Sequence, residues 1–329
     1  MSVAAIGDWV YLRSYLEPFA GVLEREDVTD IYVNRPGELW VETVTGLVER
    51  QDAPELTSLS LARLARQVAA LSSQGINREH PLLSAVLPDG ARIQVIAPPA
   101  TRAHLAIAIR KHVASDLSLA DYVAGGAFAE TRTGDATGRS DVDRELAERL
   151  ASGDIAGTLS AAVRARRNIL VSGGTSTGKT TFLNALLHEI PAEERLIFIE
   201  DTPELRIRHD NAIGLLAARS ALGEADVSAD DLVSASLRMR PDRIILGELR
   251  GSEAYAFLRA VNTGHPGSMT TIHADSTDGA VEQLVLLALQ SGTRLNRDDV
   301  AHYVRSTIGV FVQLARSGGR RFVAEVVLK

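Results

Sequence analysis

The sequence predicts an α/β protein of two domains: a smaller α+β domain over residues 1–129, a linker over 130–144, and an α/β domain over 145–329. Three observations predict it. The chain has 329 residues, enough for about two domains of ordinary size. The stretch 130–143 reads ETRTGDATGRSDVD, with two glycines, six charged residues and almost nothing to bury, which is linker composition. Beyond it, short apolar runs of strand length alternate with helical stretches, the pattern of a largely parallel sheet.

Apolar residues make up 45% of the chain and charged residues 23%, which suits a globular protein and excludes bulk disorder. Basic residues number 35 against 42 acidic, a net charge of −7. That balance is poor for a protein that coats nucleic acid, so direct DNA binding is disfavoured. The absence of cysteine excludes a disulfide framework, a thiolate metal site and a cysteine nucleophile. The longest apolar runs, such as 284–289, fall far short of the ~18 residues of a membrane span. The amino terminus has no basic start with an uninterrupted apolar stretch, so no secretory signal is predicted. A soluble cytoplasmic protein is expected, with membrane docking through a partner left open. Only three of the 35 basic residues are lysines, Lys111, Lys179 and Lys329, so the position of each is worth asking about.

In the first domain, Ile31-Tyr32-Val33 and the run from Leu39 to Val44 flank Pro36-Gly37, a hairpin signal. Leu61, Leu64, Ala65, Val68 and Leu71 recur at helical spacing, predicting an amphipathic helix over 59–71. Strands are expected at 91–96 and 105–109, in an antiparallel sheet. After the linker, strands are expected at 168–171, 196–199, 244–246 and 268–273, with helices at 181–188 and 232–237. The first three of these strands are short apolar runs of the kind buried on both faces. The runs 308–314 and 321–328, separated by Ser317-Gly318-Gly319, predict a closing hairpin.

Residues 173–180 read GGTSTGKT, the phosphate-loop pattern, preceded by a strand and followed by a helix as that pattern requires. Its glycines let backbone N–H groups converge on phosphate oxygens, and the helix N-terminus adds partial positive charge. The predicted nucleotide cradle is Gly173, Gly174, Thr175, Ser176, Thr177, Gly178, Lys179, Thr180 and Thr181. Lys179 reaches the β- and γ-phosphates of ATP, and Thr180 offers its hydroxyl to Mg²⁺. Two apolar strands then end in acids, at Glu200-Asp201 and at Glu248. Acids at the carboxyl ends of buried parallel strands lie where open α/β sheets bind ligands. Glu248 is expected to hold Mg²⁺ and Glu200 to orient the attacking water. Which carboxylate is the base stays open, with Asp201 and Glu204 the weaker claimants. His273 ends another strand and is a candidate γ-phosphate sensor.

Four segments come in order: SGGTSTGKTT (172–181), IFIEDTPEL (197–205), LRMRPDRIILGELRG (237–251) and NTGHPGSMTTIHADS (262–276). They resemble the phosphate loop, acidic box, glutamate-bearing Walker B segment and histidine box of the type II/type IV secretion ATPase superfamily. GELRGSEAYAFLRAVNTGHPGS resembles most the hexameric traffic ATPases of type IV secretion and conjugation. The resemblance covers about 165–280 strongly. It implies a RecA-like P-loop ATPase domain behind the α+β domain, a homohexamer, and attachment to inner-membrane secretion-complex subunits at the cytoplasmic face, with protein or nucleoprotein cargo. It also implies that the N-terminal domain supplies arginines to the nucleotide, and Arg92 and Arg110 match that pattern by position. Ser176 stands where many relatives have glycine. Other readings to weigh are a conjugal-transfer or type II/pilus ATPase, a nucleotide-gated scaffold with little turnover, and a DNA motor.

Overall fold

Six strands pair antiparallel in the first sheet, and seven pair almost entirely parallel in the second. The computed structural model describes residues 12–112, 118–129, 131, 140–218 and 223–329. In the first domain, residues 12–16 are helical and are followed by a 3-10 turn at Glu17–Phe19 and helix α1 (Ala20–Leu23). Strands β1 (Val28–Val33), β2 (Gly37–Thr43) and β3 (Val48–Ala53) follow, then α2 (Ser58–Leu71), β4 (Leu82–Val86), β5 (Arg92–Ile96) and β6 (Ala106–Arg110). The sheet order is β3-β2-β1-β6-β5-β4. The expected hairpin forms, with Ile31 opposite Val41 and Tyr32 opposite Trp40. Helix α2 buries Leu61, Leu64, Ala65 and Val68 at the predicted spacing, and Thr57 caps it by accepting the amide of Ser60 at 3.1 Å. The two unexpected strands, β3 and β4, are the sheet's edges. Edge strands need only partial apolar character, and VERQDA is mostly polar.

Helix α3 (Leu119–Ala124) precedes the predicted linker, of which residues 130 and 132–139 lie outside the described residues. Residues 141–144, assigned to that linker, instead open helix α4 (Asp141–Ala151). Ser140 and Asp143 form a capping box there, and the helix buries only Leu146. A helix lying on the surface with one anchoring leucine has the polar composition of a linker.

The second domain continues with α5 (Ile155–Arg164), β7 (Ile169–Gly173), α6 (Lys179–Leu187), β8 (Leu196–Glu200), β9 (Ala212–Leu216), α7 (Ala229–Ser236) and β10 (Arg243–Leu246). Then come α8 (Glu253–Asn262), β11 (Met269–Ile272), α9 (Thr277–Leu289), α10 (Arg297–Thr307), β12 (Val310–Ser317) and β13 (Arg320–Leu328). The order is β13-β12-β7-β11-β10-β8-β9, with only β13 antiparallel. Successive side chains alternate between two cores. Ile169, Val171, Phe198 and Ile245 meet α5 and α6, while Leu170, Ile197, Ile199 and Leu246 meet α8, α9 and α10. Burial on both faces explains the unbroken apolar runs in the sequence. Among the described residues, no helix is long and apolar enough to cross a membrane.

The domains meet through a shared apolar core, to which the first contributes Tyr32, Ile96, Ala100, Ala106 and Ala108, and through polar contacts at the amino-end edge of the parallel sheet. Buried Arg195 stacks on the Tyr32 ring, 4.1 Å from its centroid, and donates to Asn34 Oδ1 at 2.8 Å and Met239 O at 2.9 Å. Desolvation pulls its guanidinium down to about 10, which leaves it charged at neutral pH. At the start of β10, Arg243 is fully buried and grips Glu194 through Nε and Nη2 at 2.6 and 2.7 Å, with Nη1 on Val163 O at 2.7 Å. A Cβ on Gly267 would come within 2.6 Å of that guanidinium, so glycine is needed at this position. Removing one partner of a buried ion pair leaves the other charge uncompensated. Arg243→Ala is therefore expected to lower unfolding stability by about 3–5 kcal/mol, read from urea denaturation of the full chain. A loss under about 1 kcal/mol would show that Glu194 is not held by this contact.

Candidate nucleotide site

Four neighbouring parallel strands, β7, β11, β10 and β8, all leave the sheet at one edge. A parallel sheet must do this, because every strand runs the same way. β7 leads into the loop ending at Lys179, β11 into His273, β10 into Gly247-Glu248, and β8 ends on Glu200 itself. The four functional groups predicted from separate segments therefore lie side by side.

The loop wraps tightly. A Cβ at Gly173 would meet Thr177 Oγ1 at 2.5 Å, and Gly178 sits at φ +92° as the residue before α6. Both positions require glycine, one for space and one for the left-handed backbone. Ser176 also has a positive φ, +61°, a conformation glycine adopts freely, so serine is the more strained occupant. Thr177 Oγ1 donates to Gly174 O at 2.8 Å, and Arg321 at the tip of the β12–β13 hairpin braces the loop by donating to Ser176 O at 3.0 Å. The amides at the start of α6 have no side-chain cap, as an anion site at a helix N-terminus needs.

Lys179 donates to Gly173 O at 3.1 Å and lies 3.3 and 3.4 Å from the two ring nitrogens of His273. Burial pushes its ammonium below the ordinary lysine value, and attraction to Glu248, 3.8 Å away, opposes that shift. Glu248 Oε2 accepts from Arg250 Nε at 2.8 Å, and that bond raises the Arg250 guanidinium. Its other oxygen, Oε1, is 2.8 Å from His273 Nε2 and 3.8 Å from Lys179 Nζ, and it is a buried acceptor without a hydrogen-bond donor among the described residues. Glu200 is buried. Its Oε1 accepts the amides of Glu204 and Leu205 at 2.9 and 2.8 Å, and its Oε2 is ion-paired with Arg102 of the first domain. Thr180 Oγ1 donates to Glu204 Oε2 at 3.1 Å.

Beside the phosphate loop lies a cavity of about 230 Å³ lined by Thr180, Glu200, Asp201, Glu204, Glu248 and Arg250, among others. Its acidity suits a cation and water better than a phosphate. Thr180 Oγ1 and the donorless Glu248 Oε1 are an oxygen-only pair of the kind Mg²⁺ accepts while keeping waters and phosphate oxygens as its other ligands. The residues present thus fit that ion. Among the described residues no cluster of three His, Cys, Asp or Glu side chains could hold a metal alone, and a phosphate-bound Mg²⁺ does not need one.

Arg92 and Arg110 are not brought to this edge. They sit opposite each other across β5 and β6, and with Asp30, Arg238 and Arg240 they line a separate cleft of about 390 Å³. Within one chain, then, neither arginine faces the phosphate loop, for a topological reason. Arg92 begins β5 and Arg110 ends β6, at the sheet end away from the connection between these strands. That connection carries Arg102, which does reach the site. Sequence reading missed Arg102, Arg250 and Arg321. Arg250 had a signal, two residues beyond Glu248. Arg102 and Arg321 had none, because each pairs with a residue far along the chain.

The sequence model of the "type II/IV secretion system protein" family matches residues 149–318, just over half of the chain. The type IV secretion system protein VirB11 of Bartonella henselae is 37% identical over 324 residues, covering 94% of this chain and 91% of its own. The type IV secretion system protein PtlH of Bordetella pertussis is 39% identical over 312 residues, covering 92% and 91%. Among solved structures, the VirB11 ATPase of the Brucella suis type IV secretion system, crystallised with sulphate, superposes with a TM-score of 0.93 at 35% identity, covering 99% of this chain and 97% of that one. Fold, site geometry and relatives agree, and the chain belongs to the type II/type IV secretion ATPase superfamily.

Proposed function

We propose that the chain is an ATP-hydrolysing motor subunit of a type IV secretion system. The observation that carries this reading is the row of Lys179, His273, Glu248 and Glu200 along one sheet edge beside a phosphate loop. The type IV secretion names of relatives covering more than nine-tenths of this chain favour that branch over the type II and pilus motors. The subunit works as a homohexamer at the cytoplasmic face of the inner membrane, held there by secretion-complex subunits, and moves protein or nucleoprotein cargo. The net charge of −7 argues against direct DNA contact.

The phosphate chain of ATP lies along the amides of 174–180 and the N-terminus of α6. Lys179 then exchanges its present partners, Gly173 O and Glu248, for phosphate oxygens. Mg²⁺, when bound, neutralises charge on the β- and γ-phosphates, and Thr180 and Glu248 are the residues that would hold it. Glu200 orients the attacking water through a carboxylate oxygen. His273, adjoining both Lys179 and Glu248, reports whether the γ-phosphate is present. Arg92 and Arg110 serve the nucleotide of a neighbouring subunit, since their own lies at the other end of their strands. One observation favours the scaffold reading as a resting condition: both acids are ion-paired with arginine. Steady-state phosphate release separates a scaffold from a motor.

Lys179→Ala is expected to lower phosphate release by at least about a hundredfold, the scale for losing a preorganised charge on a transferring phosphoryl group. Release at the wild-type rate from a purified hexamer would overturn the assignment. Glu248→Gln is expected to abolish turnover while a fluorescent ATP analogue still binds, because the phosphate loop is left intact. Loss of binding together with turnover would instead make Glu248 part of the phosphate cradle.

A further inference from the structure

A segment of the first domain adds to the parallel sheet of the second. Leu216 donates its amide to Ala100 O at 2.9 Å, Arg102 donates its amide to Gly214 O at 2.9 Å, and Thr101 bridges antiparallel to Leu215. Residues 100–102 thus extend the sheet beyond its edge strand β9. This fixes the backbone of Arg102 beside the site. Its side chain crosses β9 at Gly214, where a Cβ would stand 2.5 Å from Arg102 Cδ and 2.7 Å from Nε. Glycine 214 is what leaves room for the arginine stem. Beyond it the guanidinium takes Glu200 Oε2 through Nη2 and Leu205 O through Nη1, the latter at 2.9 Å. Burial pulls the guanidinium below its ordinary value. The seat costs desolvation, and the carboxylate opposes that cost.

The consequence for Glu200 is steric and electrostatic. Oε1 is committed to two backbone amides, and Oε2 is committed to Arg102. Oε1 is filled by its two amides, and the guanidinium on Oε2 occupies one accepting position and neutralises the charge that would draw a water proton. We infer that Arg102 is a positioning residue that holds the acidic-box glutamate off its water, and that releasing the 100–102 segment from β9 switches Glu200 on. The contact makes catalysis in the second domain depend on where the first domain sits. The inference rests on the reading above in which Glu200 orients the water.

Besides Arg102, the charged groups around Glu200 are Asp201 and Glu204 on its own loop, and Glu248, Arg250 and Glu253 across the cavity. Arg102 is the cation that reaches it by hydrogen bond. Removing that charge leaves Oε2 without its cation, so kcat rises while the KM for ATP does not move. A merely structural contact would not split the two in this way.

The test measures steady-state phosphate release from the full-length protein carrying Glu200→Gln, Arg102→Gln or Gly214→Ala. Gly214→Ala keeps the guanidinium on the chain but displaces it from its seat, so it gives the same expectation by a different route. Glu200→Gln is expected to lose turnover. The other two variants are expected to raise basal kcat on the order of three- to tenfold at neutral pH, the scale of one partly buried ion pair. The KM for ATP should stay within about twofold, since Arg102 makes no contact with the phosphate loop. If Glu200→Gln is inactive and both other variants turn over at or below the wild-type rate, the restraint is refuted while Glu200 keeps its role. If Glu200→Gln retains wild-type turnover, the reading of Glu200 fails and the inference fails with it.

Discussion

A parallel sheet covered by helices on both faces has a single edge at which all its strands leave, and this site depends on that constraint. β7, β11, β10 and β8 are held in register by inter-strand ladders, and their side chains are committed to the two cores. Nothing along the strands is available for chemistry. The groups that converge at the edge are those where the strands end, namely Gly173, His273, Glu248 and Glu200. The spacing of these groups across the edge follows from the spacing of strands, about 4.8 Å apart. Side chains from adjacent strands therefore touch, as Lys179, His273 and Glu248 do.

Charge at that edge is balanced internally. Lys179 faces Glu248, Glu248 also faces Arg250, and Glu200 faces Arg102. On the proposed reading, an entering polyphosphate would compete for the cations and leave the carboxylates short of partners, a shortage that a divalent cation would correct. Anion and cation sites are thus coupled through shared side chains. The amino-end edge is built differently. There Arg243 and Glu194 satisfy each other with two short hydrogen bonds, and Arg195 is spread over two asparagines, a carbonyl and a tyrosine ring. The Arg195 contacts with Asn34 and Tyr32 join the two domains, whereas the Arg243–Glu194 pair lies within the second. Glu248 at the other edge keeps a buried oxygen without a donor.

What could be read in the sequence divides along the same line. The hairpin at Pro36-Gly37, helix α2, the buried strands and the phosphate loop were legible because each is determined by residues close together in the chain. Glycines 173 and 178, in particular, are forced by local sterics and backbone. Edge strand β3 was not legible, since an edge tolerates polar residues and VERQDA is mostly polar. Nor was the start of α4, whose single buried leucine leaves no periodicity to detect. Arg102 was invisible for a stronger reason. Its partner lies in the other domain, and only the strand addition at β9 brings the two together. The same geometry explains why Arg92 and Arg110 are misplaced when their own chain's nucleotide is considered. A strand has two ends, and sequence does not say which end the neighbouring domain meets.

The division of labour between arginine and lysine follows from these contacts. Arg243 uses three nitrogens in a fixed plane to grip one carboxylate and a carbonyl, and an ammonium could reproduce neither the plane nor the spacing. Arg102 likewise spans Glu200 and Leu205 O with two nitrogens. Lys179 must do the opposite. Its Nζ is packed among Gly173 O, His273 and Glu248, all within 3.8 Å, and it must trade those partners for phosphate oxygens. A compact charge on a flexible stem can do so without rotating a planar fork through a filled space. Lys111, by contrast, donates to the Arg25 carbonyl beside the end of β6, a task open to any long donor. A chain that otherwise uses arginine for its cations thus has lysine where the site requires a point charge able to change partners.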